Sequence, residues 1–197
     1  STIKRLLNNP YIFIKNFIQN YFGFILYRNI NCDFFIVTGS KSINPNKSNK
    51  SDLIFSHQLD YDLIIQNKIK QINFNSKFAV FLDEYVPFHP DSNNLQIYCK
   101  EEDYYNHLNK FFNKIEKKLN LKVIISAHPR SNYDNNFNPF EGRKIIFGET
   151  MNLVHKSDLV LTHASTSNNF TVAFKKPVFF INSKKYSEYF RLTIDAF

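Results

Sequence analysis

The chain is 197 residues long, 43% hydrophobic and 17% aromatic, and carries a formal charge of +8. That length holds one full domain, or one domain and part of another, and that apolar content builds a core, which excludes global disorder. The charge draws anions at long range, but nucleotide phosphates, nucleic acid and an anionic membrane face all feel it alike.

Residues 1–30 read as helix, with Ile14, Phe17, Ile18, Tyr21, Phe22 and Ile25 at three- and four-residue spacings. The apolar run from Pro10 to Tyr27 is broken by Lys15, Asn16, Gln19 and Asn20. A spanning helix needs about 20 mostly apolar residues, so no transmembrane segment is predicted. A signal-peptide cleavage site is also lacking. The apolar stripe is expected to face a core, and its sharper alternative is contact with a membrane surface. The run Asp33-Phe34-Phe35-Ile36-Val37-Thr38-Gly39 reads as a buried strand, residues 40–51 as an exposed polar loop, and Asp52 to Ser56 as another short strand. Cys32 and Cys99 form no CxxC pair, so neither a zinc site nor a disulfide framework is indicated and a reducing cytoplasm fits. The sequence opens without Met and stops at Asp195-Ala196-Phe197, which reads as a piece of something longer.

From residue 77 the pattern becomes regular. Apolar runs at 78–82, 122–126, 144–147, 159–162 and 178–181 alternate with helical patterns at 101–120, 151–156 and 167–174. In the longest helix Tyr104, Leu108, Phe111, Phe112, Ile115 and Leu119 share one face, and an acidic start and basic end suit the helix dipole. Strands that are apolar throughout are buried on both faces, as in a parallel sheet. The expected fold is therefore α/β, a Rossmann-like parallel sheet with flanking helices over residues 76–197, preceded by an amino-terminal portion, 1–75, that reads as an incomplete second domain.

Ligands of open α/β sheets collect beyond the carboxyl ends of the strands, so the polar residues that follow each apolar run are the candidate site. Ser165-Thr166-Ser167 joins a strand to a helix. One hydroxyl is explained by capping, but three beside His163 suit a phosphate. His128-Pro129-Arg130 follows another strand, and its histidine and arginine suit a leaving phosphate. Asp83-Glu84, followed by His89 and Asp91 in DEYVPFHPD, offers a general base, a set of divalent-metal ligands, or an ordinary solvated loop. His57, Asp60 and Asp62 pose the same choice and are candidates for an acceptor side. Glu149, with Thr150 after it, suits a ribose or a helix start equally. His107 and His155 read as surface residues of helices. With no P-loop, GxGxxG or GxSxG, the sequence argues against P-loop kinases, dinucleotide oxidoreductases and α/β-hydrolases.

The order His128-Pro129, then Ser157-Asp158-Leu159-Val160-Leu161-Thr162-His163-Ala164-Ser165-Thr166-Ser167, then Lys176-Pro177-Val178 resembles the carboxy-terminal half of GT-B glycosyltransferases. The nearest subset is the bacterial sialyltransferases, polysialyltransferases and Kdo transferases, with glycerophosphotransferases of teichoic-acid synthesis similar in the same region. The resemblance covers roughly residues 77–185. It implies two Rossmann-like domains across a cleft, with the second binding the nucleotide. It also implies donor-phosphate contacts from His128 and from Ser165, Thr166 and Ser167, and an acidic general base, here Asp83 or Glu84. Many members need no metal, so neither a metal nor another cofactor is expected. The family's acidic motif usually ends in Gly, whereas Tyr85 follows here.

The expected function is inverting transfer of a sugar from a nucleotide donor, a CMP-activated acidic sugar by preference, to an oligosaccharide or lipid-linked surface glycan. Arg130, Glu149, Thr150 and His163 complete the expected donor set, and His128 doubles as a catalytic residue. Such an enzyme works in the cytoplasm, peripheral to the inner membrane. The alternatives are a related phosphotransferase, a sugar-nucleotide epimerase or hydrolase of the same architecture, or a non-catalytic glycan- or nucleic-acid-binding module. Nucleic acid is the weaker partner, because the Lys residues are dispersed and no RNP1-like signature is present.

Overall fold

The computed structural model describes residues 14, 18, 21, 22, 33–39, 52–66, 74, 76–89, 99–133 and 137–182. The chain divides into two compact units, Ser1–Gln58 and Leu59–Phe197.

In the first unit, β1 (Phe34–Val37) pairs in parallel with β2 (Asp52–Phe55), and the two form a sheet of their own. The expectation of a buried strand at Phe34–Val37 is corrected here: Val37 is buried, but Phe34 and Ile36 are 62% and 67% exposed. An apolar run records what a strand can bury, not how many neighbours it has. The amino-terminal stripe is corrected in the same way. Ile14, Ile18, Tyr21 and Phe22 are helical, as expected, yet each is about half exposed. Phe17, Ile25 and the loop 40–51 lie outside the described residues. No helix among the described residues is long and apolar enough to cross a membrane.

The second unit begins with a short helix, α1 (Leu59–Ile65), and continues as β3 (Phe78–Leu82), α2 (Glu101–Leu119), β4 (Lys122–Ser126), β5 (Ile145–Ile146), α3 (Thr150–Lys156), β6 (Leu159–Thr162), α4 (Asn168–Ala173) and β7 (Val178–Phe180). The five strands form one parallel sheet in the order β5-β4-β3-β6-β7. Counted from β3 as first, the order is 3-2-1-4-5, which is Rossmann-like. Strands are therefore added on one side of β3 up to β5 and on its other side from β6, and β3 and β6 run parallel side by side with Leu82 opposite Thr162.

Side chains alternate across β3, so one strand feeds two cores. Ala79 and Phe81 face a cluster with Tyr104, Leu108, Phe112 and Ile115 of α2, and with Phe140. Phe78, Val80 and Leu82 face Leu153 and Val154 of α3 and Phe170 of α4, with Leu63 and Ile64 of α1 at the margin. Burying each of these large side chains stabilises the fold by about 1.5–3 kcal/mol. The interior strands β3 and β6 are buried throughout, whereas the edge strands β5 and β7 are only partly covered. Helix α2 starts with three acids, ends with Lys117 and Lys118, and stops where Asn120 turns left-handed at φ 52°.

The loop before β5 is tied to α2 by Arg143. Its guanidinium donates to Glu116 through Nε (3.1 Å) and Nη2 (2.6 Å), to Asn109 Oδ1, to Asn113 Oδ1 and to the Phe140 carbonyl. The Arg143 side chain is 8% exposed and Glu116 30%, so removing the arginine strands a half-buried carboxylate. Arg143→Ala is expected to cost about 2–4 kcal/mol in urea unfolding. Arg143→Lys should recover less than half of that, because an ammonium does not reproduce the bidentate fork. An unchanged unfolding midpoint in the alanine variant would contradict this account.

Candidate functional site

Strand β3 ends in Asp83-Glu84-Tyr85, and each residue is committed differently. Asp83 is buried. Its Oδ1 accepts from the Tyr85 N–H (3.1 Å), and its Oδ2 accepts from the Tyr133 hydroxyl (3.0 Å) and, at 3.5 Å, from the His128 N–H. Glu84 is half-buried and points the other way: Oε1 accepts from the Ala164 N–H at 2.6 Å. Tyr85 takes φ 50° and ψ 39°, the left-handed region that favours glycine. Its ring is held edge-on by Tyr133 at 5.5 Å and lies against Phe88 at 4.9 Å. Tyr85 thus has a glycine-like backbone, and aromatic packing offsets the strain of a side chain there.

The two carboxylates fasten two loops. On one side lies His128-Pro129-Arg130. Ser131 closes this loop by donating to the His128 carbonyl through both its N–H (2.9 Å) and its hydroxyl (2.7 Å). The Arg130 N–H donates to His128 Nδ1 (3.2 Å), so the neutral imidazole carries its proton on Nε2. Burial, then the neighbouring His89 and Arg130, hold the His128 ring below the usual histidine pKa. Arg130 is exposed.

On the other side lies Ala164-Ser165-Thr166-Ser167. Ser165 Oγ accepts from the Ser167 N–H (3.2 Å), while Thr166 is exposed and Ser167 half-buried. The expectation that His163 faces the donor is corrected: its ring is fully buried. Its Nδ1–H donates to the Ile181 carbonyl (2.6 Å), Nε2 takes the Tyr104 hydroxyl (3.1 Å), and the ring stands edge-on to Phe81 at 5.6 Å. Burial pushes its pKa down to about 4, so it is a neutral core residue.

The remaining candidates have other commitments. Thr150 bonds Ser126 hydroxyl to hydroxyl (2.9 Å), linking α3 to the end of β4, and the Glu149 carboxylate accepts from Asn152. Asp60 accepts from Asn169 Nδ2 (2.9 Å) and thereby ties α1 to α4, so it braces the helix that follows the Ser/Thr loop. Asp62 is half-buried on α1, whereas His57 is exposed and belongs to the first unit. His107 is exposed as expected, but His155 packs edge-on against Phe174 at 4.8 Å. Among the described residues no three His, Cys, Asp or Glu side chains converge as metal ligands, and Asp91 lies outside the described residues. A cavity of about 320 Å³ lined by Lys77, Glu116, Asn120 and Lys122 lies at the amino ends of β3 and β4, away from both loops.

Two parts of the arrangement escape sequence reasoning. Tyr133, in the polar stretch SNYDNN, is buried and joins Tyr105 (hydroxyls 2.9 Å apart) to Asp83. Burial raises both phenols, so they stay protonated donors. Aromatic residues inside a polar loop were the only available signal. His89 was legible as a residue, but not as a neighbour of His128, whose ring lies 5.5 Å away. No family model and no curated protein matches this sequence.

Burial raises Asp83 to about 6, and burial together with the adjacent Asp83 raises Glu84 to about 7. An acid whose folded pKa exceeds its unfolded value binds extra protons in the folded state between the two values. Its stabilising contribution is full below the ordinary carboxyl value of 3.8 for Asp83 and is lost as pH rises through about 6. Wild type is therefore expected to lose stability relative to Asp83→Asn between about pH 4 and pH 7, measured by urea unfolding at several pH values. Parallel pH profiles for the two proteins would contradict the assignment.

Proposed function

We propose that the second unit is the donor-binding domain of a GT-B type, inverting glycosyltransferase that moves a sugar from a nucleotide donor, a CMP-activated acidic sugar by preference, to a bacterial surface glycan. The observation that carries this reading is the double tether at the end of β3. Asp83 takes the His128 loop, Glu84 takes the Ala164 loop, and both loops therefore meet at the reversal point between β3 and β6. That is where doubly wound sheets bind nucleotides.

In this reading the residues divide the work. As the bond from anomeric carbon to phosphate oxygen breaks, negative charge grows on the leaving nucleotide. His128 Nε2–H, the Arg130 guanidinium and the hydroxyls of Ser165, Thr166 and Ser167 supply donors toward it. Glu84 is the base: with a pKa raised to about 7 it is part-ionised at neutral pH and able to take the acceptor hydroxyl's proton as that oxygen attacks the opposite face. Asp83, buried under three donors, is a positioning residue instead. The basic character of the chain suits anionic donors and an anionic membrane face near a lipid-linked acceptor. Glu149, Thr150, Asp60 and Asp62 are the outer candidates for ribose and acceptor contacts.

Ligand that binds only the folded state raises stability by mass action, about 2.7 kcal/mol at a hundredfold excess over Kd. Thermal-shift titration of the full chain with CMP, CDP, UDP, GDP and ATP, with and without magnesium, is expected to give selective stabilisation by one pyrimidine nucleotide. His128→Ala should abolish most of that response. Equal or absent responses to all five nucleotides would count against the donor-binding reading and favour a non-catalytic module.

A further inference from the structure

In a parallel α/β layer the strands begin, and the helices between them end, at the same end of the sheet. Six exposed lysines gather at that end of the second unit. Lys117 and Lys118 close α2, Lys156 closes α3, and Lys77, Lys122 and Lys175 stand at or just before the starts of β3, β4 and β7. Complementing a helix dipole accounts for the first three only. Lys77 and Lys122 belong to no helix, and Lys175 takes φ 51°, where glycine is favoured.

The lysines are not neutralised locally. None of the six forms an ion pair among the described residues. The two acids near them are already engaged: Asp158 accepts from the Phe78 N–H at 3.0 Å, and Glu116 is clasped by Arg143. His155, in the last turn of α3, is held below the usual histidine pKa by burial and then by Lys156 and Lys176. The acids Glu101, Glu102 and Asp103 lie at the opposite end of α2.

Such a face calls for a partner bearing many anions. No exposed arginine fork, suited to single phosphates, and no exposed aromatic ring, suited to stacked bases, stands among the lysines in the described residues. Two aliphatic side chains do: Leu119 beside Lys118 and Val172 in the last turn of α4 are 50% and 65% exposed. Lysines interspersed with exposed aliphatic groups suit a lipid headgroup layer, where ammonium groups meet phosphates and the aliphatic groups enter the acyl boundary.

We propose that this lysine face docks the second unit on a bilayer rich in anionic lipid. Docking this way turns the donor loops, which follow the opposite ends of the strands, toward solution. It therefore fits an acceptor whose end stands clear of the bilayer, as in an oligosaccharide. The inference rests on the reading above for that acceptor, whereas the lipid contact itself needs no nucleotide.

Co-sedimentation of the full chain with vesicles tests it, using phosphatidylcholine alone or with about one-third phosphatidylglycerol, at about 0.15 M salt. Binding is expected with the anionic vesicles only, and should weaken as salt rises. Each lysine near an anionic surface strengthens binding about fivefold, so Lys77→Gln/Lys122→Gln and Lys117→Gln/Lys118→Gln should each lose about tenfold or more. Lys100→Gln/Lys110→Gln removes equal charge from exposed positions at least about 10 Å farther along α2, a Debye length, and should lose about twofold or less. No binding to anionic vesicles, or equal losses from all three pairs, would overturn the docking face. So would a wild type that binds a single-stranded oligonucleotide and ignores the vesicles. Thermal shift with CMP on the same proteins separates the two readings. Vesicle losses confined to the first two pairs, with no CMP response in the wild type, would leave the docking face standing and sink the donor site. A CMP response without vesicle binding would do the reverse.

Discussion

The arrangement depends on two neighbouring carboxylates at the end of the central strand that reach in opposite directions. Successive residues of an extended chain point to opposite sides, so Asp83 and Glu84 serve different neighbours without competing. Asp83 gathers the backbone of its own turn, the His128 loop and Tyr133, while Glu84 crosses to the backbone of Ala164 beyond β6. Placing acids there costs desolvation energy, which shows in the raised pKa of both. Hydrogen bonds from backbone N–H groups and a phenol offset much of that cost. The result is one fixed geometry for two loops separated by more than thirty residues of sequence.

The sheet makes this tether possible. Because β3 is flanked by β4 on one side and β6 on the other, its carboxyl end is the one place from which a single dipeptide reaches the loops after both. The same burial that weakens the folded state toward neutral pH brings Glu84 to a pKa of about 7, which suits the base proposed for it. Loss of stability at a site is a common accompaniment of function. Tyr85 belongs to the same compromise: its left-handed backbone lets the chain turn at once after the acids, and its buried ring anchors the turn to Tyr133.

Much of the fold was legible because the interior strands leave a strong signal. The apolar runs at 78–82, 122–126 and 159–162 are the observed β3, β4 and β6, and the amphipathic spacing of α2 is observed within one residue of its expected end. Edge strands were less legible: β5 covers Ile145–Ile146 where four residues were expected, since a half-covered strand pairs over a shorter length. The exposed pair β1–β2 misled for the opposite reason, its apolar residues imitating a buried strand. Within the candidate site, strand-end position pointed to Asp83, Glu84, His128 and the Ser/Thr loop, and the structure bonds the His128 and Ala164 loops to the two acids. Position alone did not show which way each side chain turns, so His163 was read as outward although its ring fills the core between Phe81 and Tyr104. Tyr133 and the approach of His89 to His128 are long-range contacts, to which local pattern carries no clue.

The central claim is that the two tethered loops form one binding site, and amide chemical shifts test it most directly. With CMP or its better-binding nucleotide added to the full chain, the N–H signals of Arg130 and Ser131 and those of Ala164 to Ser167 are followed through the titration. The account predicts that both groups move together and saturate with a single Kd, while signals near Lys77 and Lys122 at the other end of the sheet stay still. Movement confined to one loop, two different saturation curves, or shifts scattered over the lysine-rich surface would contradict it.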